Sequence, residues 1–130
     1  NTQMNQSTAD QVWNRAAIEG GGDSPGPGDR ALASLLLLHG LAMNGGVHHA
    51  IECLSPEELS AAIDGFSYFG FEELAEWLNN APNDLLLKEW TDDTETSAIF
   101  RYAEYIPDDA YLTTRFEAVY RNRPSDFEAC

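Results

Sequence analysis

The sequence predicts an all-α fold, a compact single-domain bundle of about seven or eight short helices, and three observations support this class. Apolar residues recur three and four positions apart, which is the spacing of one face of an amphipathic helix. The segment Ser55-Pro56-Glu57-Glu58 is a helix-start signature that joins a capping serine, a proline at the first helical position and a capping-box glutamate. No segment alternates apolar and polar residues over more than a few positions, so strands are not expected.

The N-terminal part of the chain is predicted to be one short helix between two irregular segments. Residues 1–7 are polar and are expected to fray, and Thr8 is expected to cap a helix that extends to about Glu19. Residues 20–28 are rich in glycine and proline, which is typical of a loop. This loop is not expected to bind phosphate, because no strand precedes it and no Lys-Ser or Lys-Thr pair follows it.

The second helix is predicted to begin with Asp29 as its cap and to extend to about Met43. Its apolar face carries Leu32, Leu35, Leu36 and His39, and Leu37, Leu38 and Leu41 widen that face. Such breadth indicates burial on most sides, so this segment is the candidate central helix. The motif Asn44-Gly45-Gly46 ends it, because asparagine and glycine tolerate the left-handed backbone that a helix end requires.

The later elements are predicted from apolar spacing and from the proline, glycine and asparagine residues at their ends. They are a short helix over Val47 to Leu54, a helix from Ser55 to near Gly70, a helix from Glu72 to Asn80, a loop over 79–83, a short helical turn over 84–90, a turn over 91–93, a helix from Thr94 to Ile106, and a final helix from Asp108 or Asp109 to about Asn122. Pro107 ends the helix before it, because proline disfavours helical backbone in the preceding residue.

The acidic surplus is the strongest functional signal in this chain. Asp and Glu outnumber Lys and Arg by 22 to 7, which gives a net charge of −15. From Glu52 to Asn83 the chain carries seven acids and no Lys or Arg, although an ordinary solvated surface mixes both signs. We therefore divide the chain into residues 1–28, with a frayed start, a short helix and a loop, and an acidic helical domain over 29–130.

Such a charge excludes some partners and favours others. An acidic surface repels nucleic acid and anionic membranes, so neither is an expected direct partner, and it attracts basic proteins. No apolar run approaches the length of a membrane span, and no signal peptide is visible. Cys53 and Cys130 do not form a disulfide framework, so a reducing cytoplasm is the expected compartment.

The histidines and cysteines offer few candidates for catalysis or metal binding. His48 and Glu52 lie four residues apart, which could place two metal ligands together, and a surface ion pair explains the spacing equally well. Cys53 lies four residues from His49, so a thiolate–imidazole pair is conceivable, but the apolar neighbours of Cys53 favour a buried, inert thiol. His39 faces a leucine-rich stripe and is predicted to be a hydrogen-bonded core histidine. No catalytic residue, metal or cofactor is expected.

Two stretches of the chain resemble a known bacterial family. Residues 41–52, Leu-Ala-Met-Asn-Gly-Gly-Val-His-His-Ala-Ile-Glu, precede a helix that ends in Phe66-Ser67-Tyr68-Phe69-Gly70 and then an acidic helix that begins with Glu72-Glu73-Leu74-Ala75. This order is similar to that of the small all-α domains of unknown function that include an acidic DNA-mimic protein. The resemblance implies a helical domain that can dimerise and whose carboxylates imitate duplex phosphates. Asn44, Gly45 and Gly46 are structural residues in this reading.

The partner-binding residues are predicted from their positions and not from the matching motif. The candidates are Glu57, Glu58, Glu72, Glu73, Glu76, Asp92, Asp93, Glu95, Glu104, Asp108 and Asp109. Carboxylates three or four residues apart on a helix lie roughly 5–6 Å apart. Phosphates on one DNA strand advance about 3.4 Å along the axis for each nucleotide while also winding around it. Rows of acids could therefore match a basic groove that receives DNA.

The leading hypothesis is a non-enzymatic acidic binding protein that acts as a DNA mimic on a DNA-binding protein or another basic protein. An immunity-type inhibitor of a basic toxin or nuclease relies on the same electrostatics. An acidic accessory domain that makes its contacts through an apolar patch is a second class. A metal-dependent or Cys-His enzyme built around His48, His49, Glu52 and Cys53 is the third.

Overall fold

The structure, a computed structural model, describes residues 2–19, 25–87 and 92–127. The helices are α1 (Thr2–Glu19), α2 (Pro27–Gly45), α3 (Val47–Cys53), α4 (Pro56–Tyr68), α5 (Glu72–Leu87), α6 (Asp92–Tyr105) and α7 (Asp109–Asn122), followed by a short 3-10 helix (Pro124–Asp126). No strand occurs within these ranges, which confirms the predicted all-α class.

Helix α2 is the centre of the fold, because it packs against α1, α3 and α4. Leu32, Leu35 and Leu38 lie on its buried face and are almost inaccessible to solvent. Helix α2 is buried on most sides, as predicted, and its exposed stripe includes Leu37, which is 45% exposed, and Met43, which is 51% exposed.

The N-terminal helix is longer than predicted and belongs to the packed body. Helix α1 begins at Thr2, so residues 2–7 are helical and Thr8 does not cap this helix. Val12 and Ala16 are buried in the common core, and the Trp13 ring lies 5.5 Å from that of Phe116 in α7. Burial of this apolar face stabilises α1 against α2, because helices in proteins are stabilised mainly through tertiary packing.

Asp29 does not cap α2 as predicted. The helix begins two residues earlier because Pro27 occupies its first turn, and Gly26 is the capping position. The Asp29 carboxylate accepts a hydrogen bond from the Gly26 N–H at 2.9 Å and pairs with the Arg15 guanidinium at 3.2 Å. Asp29 is fully buried, so this ion pair connects α1 to α2 inside the fold.

The two predicted turns around α3 and α4 are confirmed. Gly46 ends α2 with a φ of 95°, a left-handed backbone that favours glycine, and its N–H donates to the Ala42 carbonyl at 2.8 Å. Asn44 and Gly45 are the last helical residues before it. At the start of α4, Ser55 and Glu58 form the predicted capping box, with exchanged hydrogen bonds of 2.9 and 3.1 Å.

Helix α5 extends further than predicted. We predicted a loop over 79–83 and a separate helical turn over 84–90. Up to residue 87 this prediction is wrong, because the backbone is helical from Glu72 to Leu87 and the helix passes through Pro82. A proline removes one helical hydrogen bond but leaves the bonds on either side, so a helix can continue through it. Residues 88–91, which include part of the predicted turns, lie outside the described ranges.

The last two helices enclose an aromatic core. Helix α6 begins at Asp92, so Asp92 and Asp93 are helical and not part of a turn, and it ends before Pro107 as predicted. Asp108 caps α7, with its carboxylate accepting from the Tyr111 N–H at 2.8 Å, and α7 ends at Asn122 as predicted. The largest fully buried aromatic side chains are Phe66, Phe69, Tyr102 and Phe116.

Candidate functional site

The predicted partner-binding acids separate into groups, and one group surrounds a surface cleft. Glu72 and Glu73 in the first turn of α5 and Glu104 near the end of α6 line a cleft of about 350 Å³. Glu76 lies one turn further along α5 and is also exposed. We name Glu72, Glu73, Glu76 and Glu104 the α5–α6 acidic cluster.

Aromatic rings and one cation form the rest of this cleft. Phe71, Tyr105 and Tyr111 line it together with Arg115. The Arg115 guanidinium lies 4.6 Å from the centre of the Phe71 ring and donates to the Phe69 carbonyl at 2.8 Å. The positive charge is thus held by a ring face and a backbone oxygen.

The α5–α6 acidic cluster has no hydrogen-bonded or ionic side-chain partner among the residues that the structure describes. Two further arginines are also placed over rings: Arg101 lies 5.3 Å from the Trp77 ring centre and Arg123 lies 5.7 Å from that of Tyr68. Since the neighbouring cations are directed to aromatic faces, the four carboxylates keep their charge available to solvent or to a partner.

Glu57 and Glu58 form a separate acidic group at the start of α4. Glu58 is engaged in the capping box, while Glu57 is exposed beside Asp64 in a shallow pocket. Helix α4 has 13 residues, so its two ends lie about 20 Å apart at 1.5 Å per residue. Because α5 begins just after the other end of α4, this pair does not join the α5–α6 acidic cluster.

Asp108 and Asp109 are engaged in holding the fold together. Asp108 is the cap of α7, and the Asp109 carboxylate lies 2.7 Å from Nε2 of His39. The other ring nitrogen of His39 lies 2.7 Å from the Tyr102 hydroxyl, which confirms that His39 is a hydrogen-bonded core residue. Burial, and secondarily the Asp109 charge, raise the pKa of Tyr102, so the hydroxyl stays protonated.

Glu95 has a structural role that its sequence position does not suggest. Its carboxylate accepts hydrogen bonds from the Val47 N–H at 3.1 Å and the His48 N–H at 2.7 Å, at the start of α3. These are N–H groups that have no partner within their own helix, and a carboxylate satisfies them well. The side chains of Asp92 and Asp93 lie outside the described part of the structure, so their roles stay predictions.

The structure therefore brings three of the predicted acids to one cleft, with Glu76 one turn away on α5, and assigns capping or packing roles to others. Sequence reasoning missed the aromatic lining of the cleft, Tyr105 and Tyr111, and the cation Arg115. The sequence feature that could have indicated this lining is the dipeptide Glu104-Tyr105, which places a tyrosine directly after an acid at the end of an apolar helical stripe.

Helix α3 carries a second group of chemically reactive side chains. The predicted pair of His48 and Glu52 is present, with Nε2 and Oε1 3.4 Å apart. The prediction that Cys53 is buried is wrong: the thiol is exposed, and its Sγ lies 3.6 Å from Nδ1 of His49. The buried residues of this short helix are Val47, Ala50 and Ile51, so Cys53 lies away from that face. Within the described residues, no three His, Cys, Asp or Glu side chains converge to hold a metal ion.

Comparisons of this chain with protein-family models, with curated proteins and with solved structures gave no match. The resemblance to the acidic DNA-mimic family therefore stays a prediction. Among the described helices, none is both long and apolar enough to cross a membrane.

Proposed function

We propose that this protein is a non-enzymatic acidic binding protein of the cytoplasm that acts as a DNA mimic on the basic site of a DNA-binding protein. The observation that carries the proposal is the α5–α6 acidic cluster: three carboxylates line one cleft and Glu76 lies one turn away, and none of the four has an ionic partner in the described part of the chain. Surface charges without partners raise the local concentration of oppositely charged molecules and increase the rate at which those molecules bind.

The chemistry of the cleft suits arginine and lysine side chains. A carboxylate forms a charge-assisted hydrogen bond with either cation, and a bidentate one with arginine. The rings of Tyr105 and Tyr111 add faces on which a cation can rest.

The spacing of the acids along α5 supports mimicry of a phosphate row. Glu72 and Glu76 lie four residues apart and Glu73 and Glu76 three apart, which separates their Cβ atoms by roughly 5–6 Å. A basic groove that spaces its cations for successive phosphates can meet such a row. The free, exposed thiol of Cys53 is consistent with a reducing compartment.

A charge-reversal variant tests the proposal. The triple variant Glu72→Lys, Glu73→Lys, Glu76→Lys and the wild-type protein are each immobilised and used to capture binding proteins from lysate of the source cell at low salt. Each exposed ion pair contributes up to about 1 kcal/mol, so losing three pairs weakens binding on the order of a hundredfold. We expect the wild type to retain a nucleic-acid-binding protein that elutes in a salt gradient or with duplex DNA, and the variant to lose it.

The matched control changes the same total charge elsewhere. Glu52, Asp64 and Glu117 are exposed and lie outside the α5–α6 acidic cluster, so Glu52→Lys, Asp64→Lys, Glu117→Lys should retain the partner. Equal loss in both triple variants would mean that net charge alone is responsible, which contradicts a defined site. A basic partner that duplex DNA does not displace would contradict mimicry while leaving an acidic binding site in place.

A further inference from the structure

Two tyrosine rings are placed to contact a side chain that enters the cleft of the α5–α6 acidic cluster. Tyr105 at the end of α6 and Tyr111 in α7 line this cleft together with Glu72, Glu73 and Glu104. Tyr105 is half-buried and Tyr111 is 44% exposed, so part of each ring is accessible from the cleft. The cleft therefore offers aromatic surface and negative charge to the same bound group.

Packing against neighbouring rings holds the two tyrosines in place. The ring centres of Tyr105 and Trp77 lie 6.4 Å apart, and those of Tyr111 and Phe71 lie 6.2 Å apart. Arg115 already lies over Phe71, whereas no cation of the described residues lies over either tyrosine. Tyr105 and Tyr111 are therefore the rings of the cleft that can receive a cation from a partner.

Arg115 leaves most of the charge of the cleft uncompensated. Its guanidinium donates to the Phe69 carbonyl at 2.8 Å and forms no ion pair with the carboxylates that line the cleft. A Cβ atom added at Gly70 would lie 2.8 Å from Nη1 of Arg115, so the missing side chain of this glycine leaves room for the guanidinium. Three carboxylates and one guanidinium line the cleft, which leaves it a formal charge of −2.

We propose that this cleft binds arginine side chains of the partner in preference to lysine side chains, and that Tyr105 and Tyr111 determine the preference. This preference rests on the proposed function, since it concerns the side chain that the α5–α6 acidic cluster receives. A guanidinium is planar and weakly hydrated, so it stacks on a ring while its N–H groups form paired hydrogen bonds with a carboxylate. A lysine ammonium is compact and strongly hydrated, so it forms the ionic contact but gains less from the rings.

Hexa-arginine and hexa-lysine peptides are the probes, because they carry equal charge and differ in the cationic group. Isothermal titration calorimetry at one low salt concentration measures the affinity of the full chain for each peptide. Stacking on two rings should favour the arginine peptide on the order of tenfold. Tyr111→Leu, at the more exposed ring, should reduce this ratio to about threefold, and the double variant Tyr105→Leu, Tyr111→Leu should bring it close to one.

Phe100→Leu is the matched control. It removes a ring of α6 that is 68% exposed and does not line the cleft, so the preference for arginine should stay on the order of tenfold. Circular dichroism checks that each variant keeps its helices. A wild type that binds the two peptides equally would overturn the proposed preference, and a ratio that both tyrosine variants keep would overturn the role of the rings.

The charge-reversal variant separates this preference from the proposed function. Glu72→Lys, Glu73→Lys, Glu76→Lys should weaken the binding of both peptides. If it does so while the wild type shows no preference, the arginine preference is refuted and the acidic binding site stands. If the reversal leaves both affinities unchanged, the α5–α6 acidic cluster does not bind cations, and the arginine preference and the proposed function fail together.

Discussion

The close crossing of α2 and α4 leads to a prediction with a built-in control. A Cβ atom added at Gly65 in α4 would lie 2.4 Å from the Ala31 carbonyl oxygen and 3.2 Å from its carbon. Both atoms belong to the backbone of α2, so no side-chain rotation relieves the contact. Gly65→Ala must therefore push apart the two helices that pack most extensively in the described fold.

The magnitude follows from comparison with Gly40→Ala in α2. Both substitutions gain about 1 kcal/mol from the helix preference of alanine over glycine. Gly40 has open space around it, so its variant should keep this gain. Overpacking costs typically 1–3 kcal/mol, and a backbone contact places Gly65→Ala near the upper value. The free energies of unfolding of the two variants should thus differ by about 3 kcal/mol, because the helix-preference gain is common to both and only the steric cost separates them.

Urea unfolding followed by circular dichroism measures this difference as a free energy of unfolding. We expect Gly40→Ala to be more stable than the wild type and Gly65→Ala to be less stable. If Gly65→Ala were as stable as Gly40→Ala, the close crossing of α2 and α4 would be refuted.

Three further predictions follow from buried and capping contacts. Tyr102→Phe leaves one ring nitrogen of buried His39 without its partner and should lower the free energy of unfolding in urea by about 1–3 kcal/mol. Glu95→Gln weakens the cap of α3 and should cost about 1 kcal/mol in the same assay. Burial, and then the hydrogen bond to Asp126, raise the pKa of Tyr68 to about 12, so its contribution to stability is complete below pH 10 and is lost as the pH rises from 10 towards 12. An alkaline titration of unfolding measures this loss, which Tyr68→Phe should reduce.

Each of these predictions has an outcome that contradicts it. Glu104→Gln, at an exposed acid of the cleft, is the control for Glu95→Gln, and equal losses would deny the capping role of Glu95. A Tyr102→Phe protein with unchanged stability would show that His39 does not depend on the hydroxyl. An alkaline profile that is identical with and without the Tyr68 hydroxyl would refute the pKa argument.

The parts of the fold that were predictable from the sequence are those governed by neighbouring residues. The capping box of Ser55 and Glu58 depends on groups three residues apart, and the turn at Gly46 depends on one backbone angle. Both were predicted correctly, and of the two caps that the sequence offered for α7, Asp108 and Asp109, the structure has Asp108. Helix ends that depend on packing were placed less well, such as the start of α1 and the continuation of α5 through Pro82.

The candidate site was predictable only in its composition. The acids of α5 and α6 were identified from the charge imbalance, but their meeting around one cleft depends on how the helices pack. Glu95 caps a helix 48 residues away, and no local pattern reveals such a contact. Exposure of Cys53 was missed because a helix of seven residues is too short for its apolar spacing to define one buried face.

The most direct test of DNA mimicry is a competition for the captured DNA-binding protein. Fluorescence anisotropy follows a labelled DNA duplex bound to that protein while the wild-type chain is added. The account predicts that the wild type releases the duplex and that the Glu72→Lys, Glu73→Lys, Glu76→Lys variant does not, with release weakening as salt is raised. If the duplex stayed bound, or if both chains released it equally, the α5–α6 acidic cluster would not be a DNA mimic.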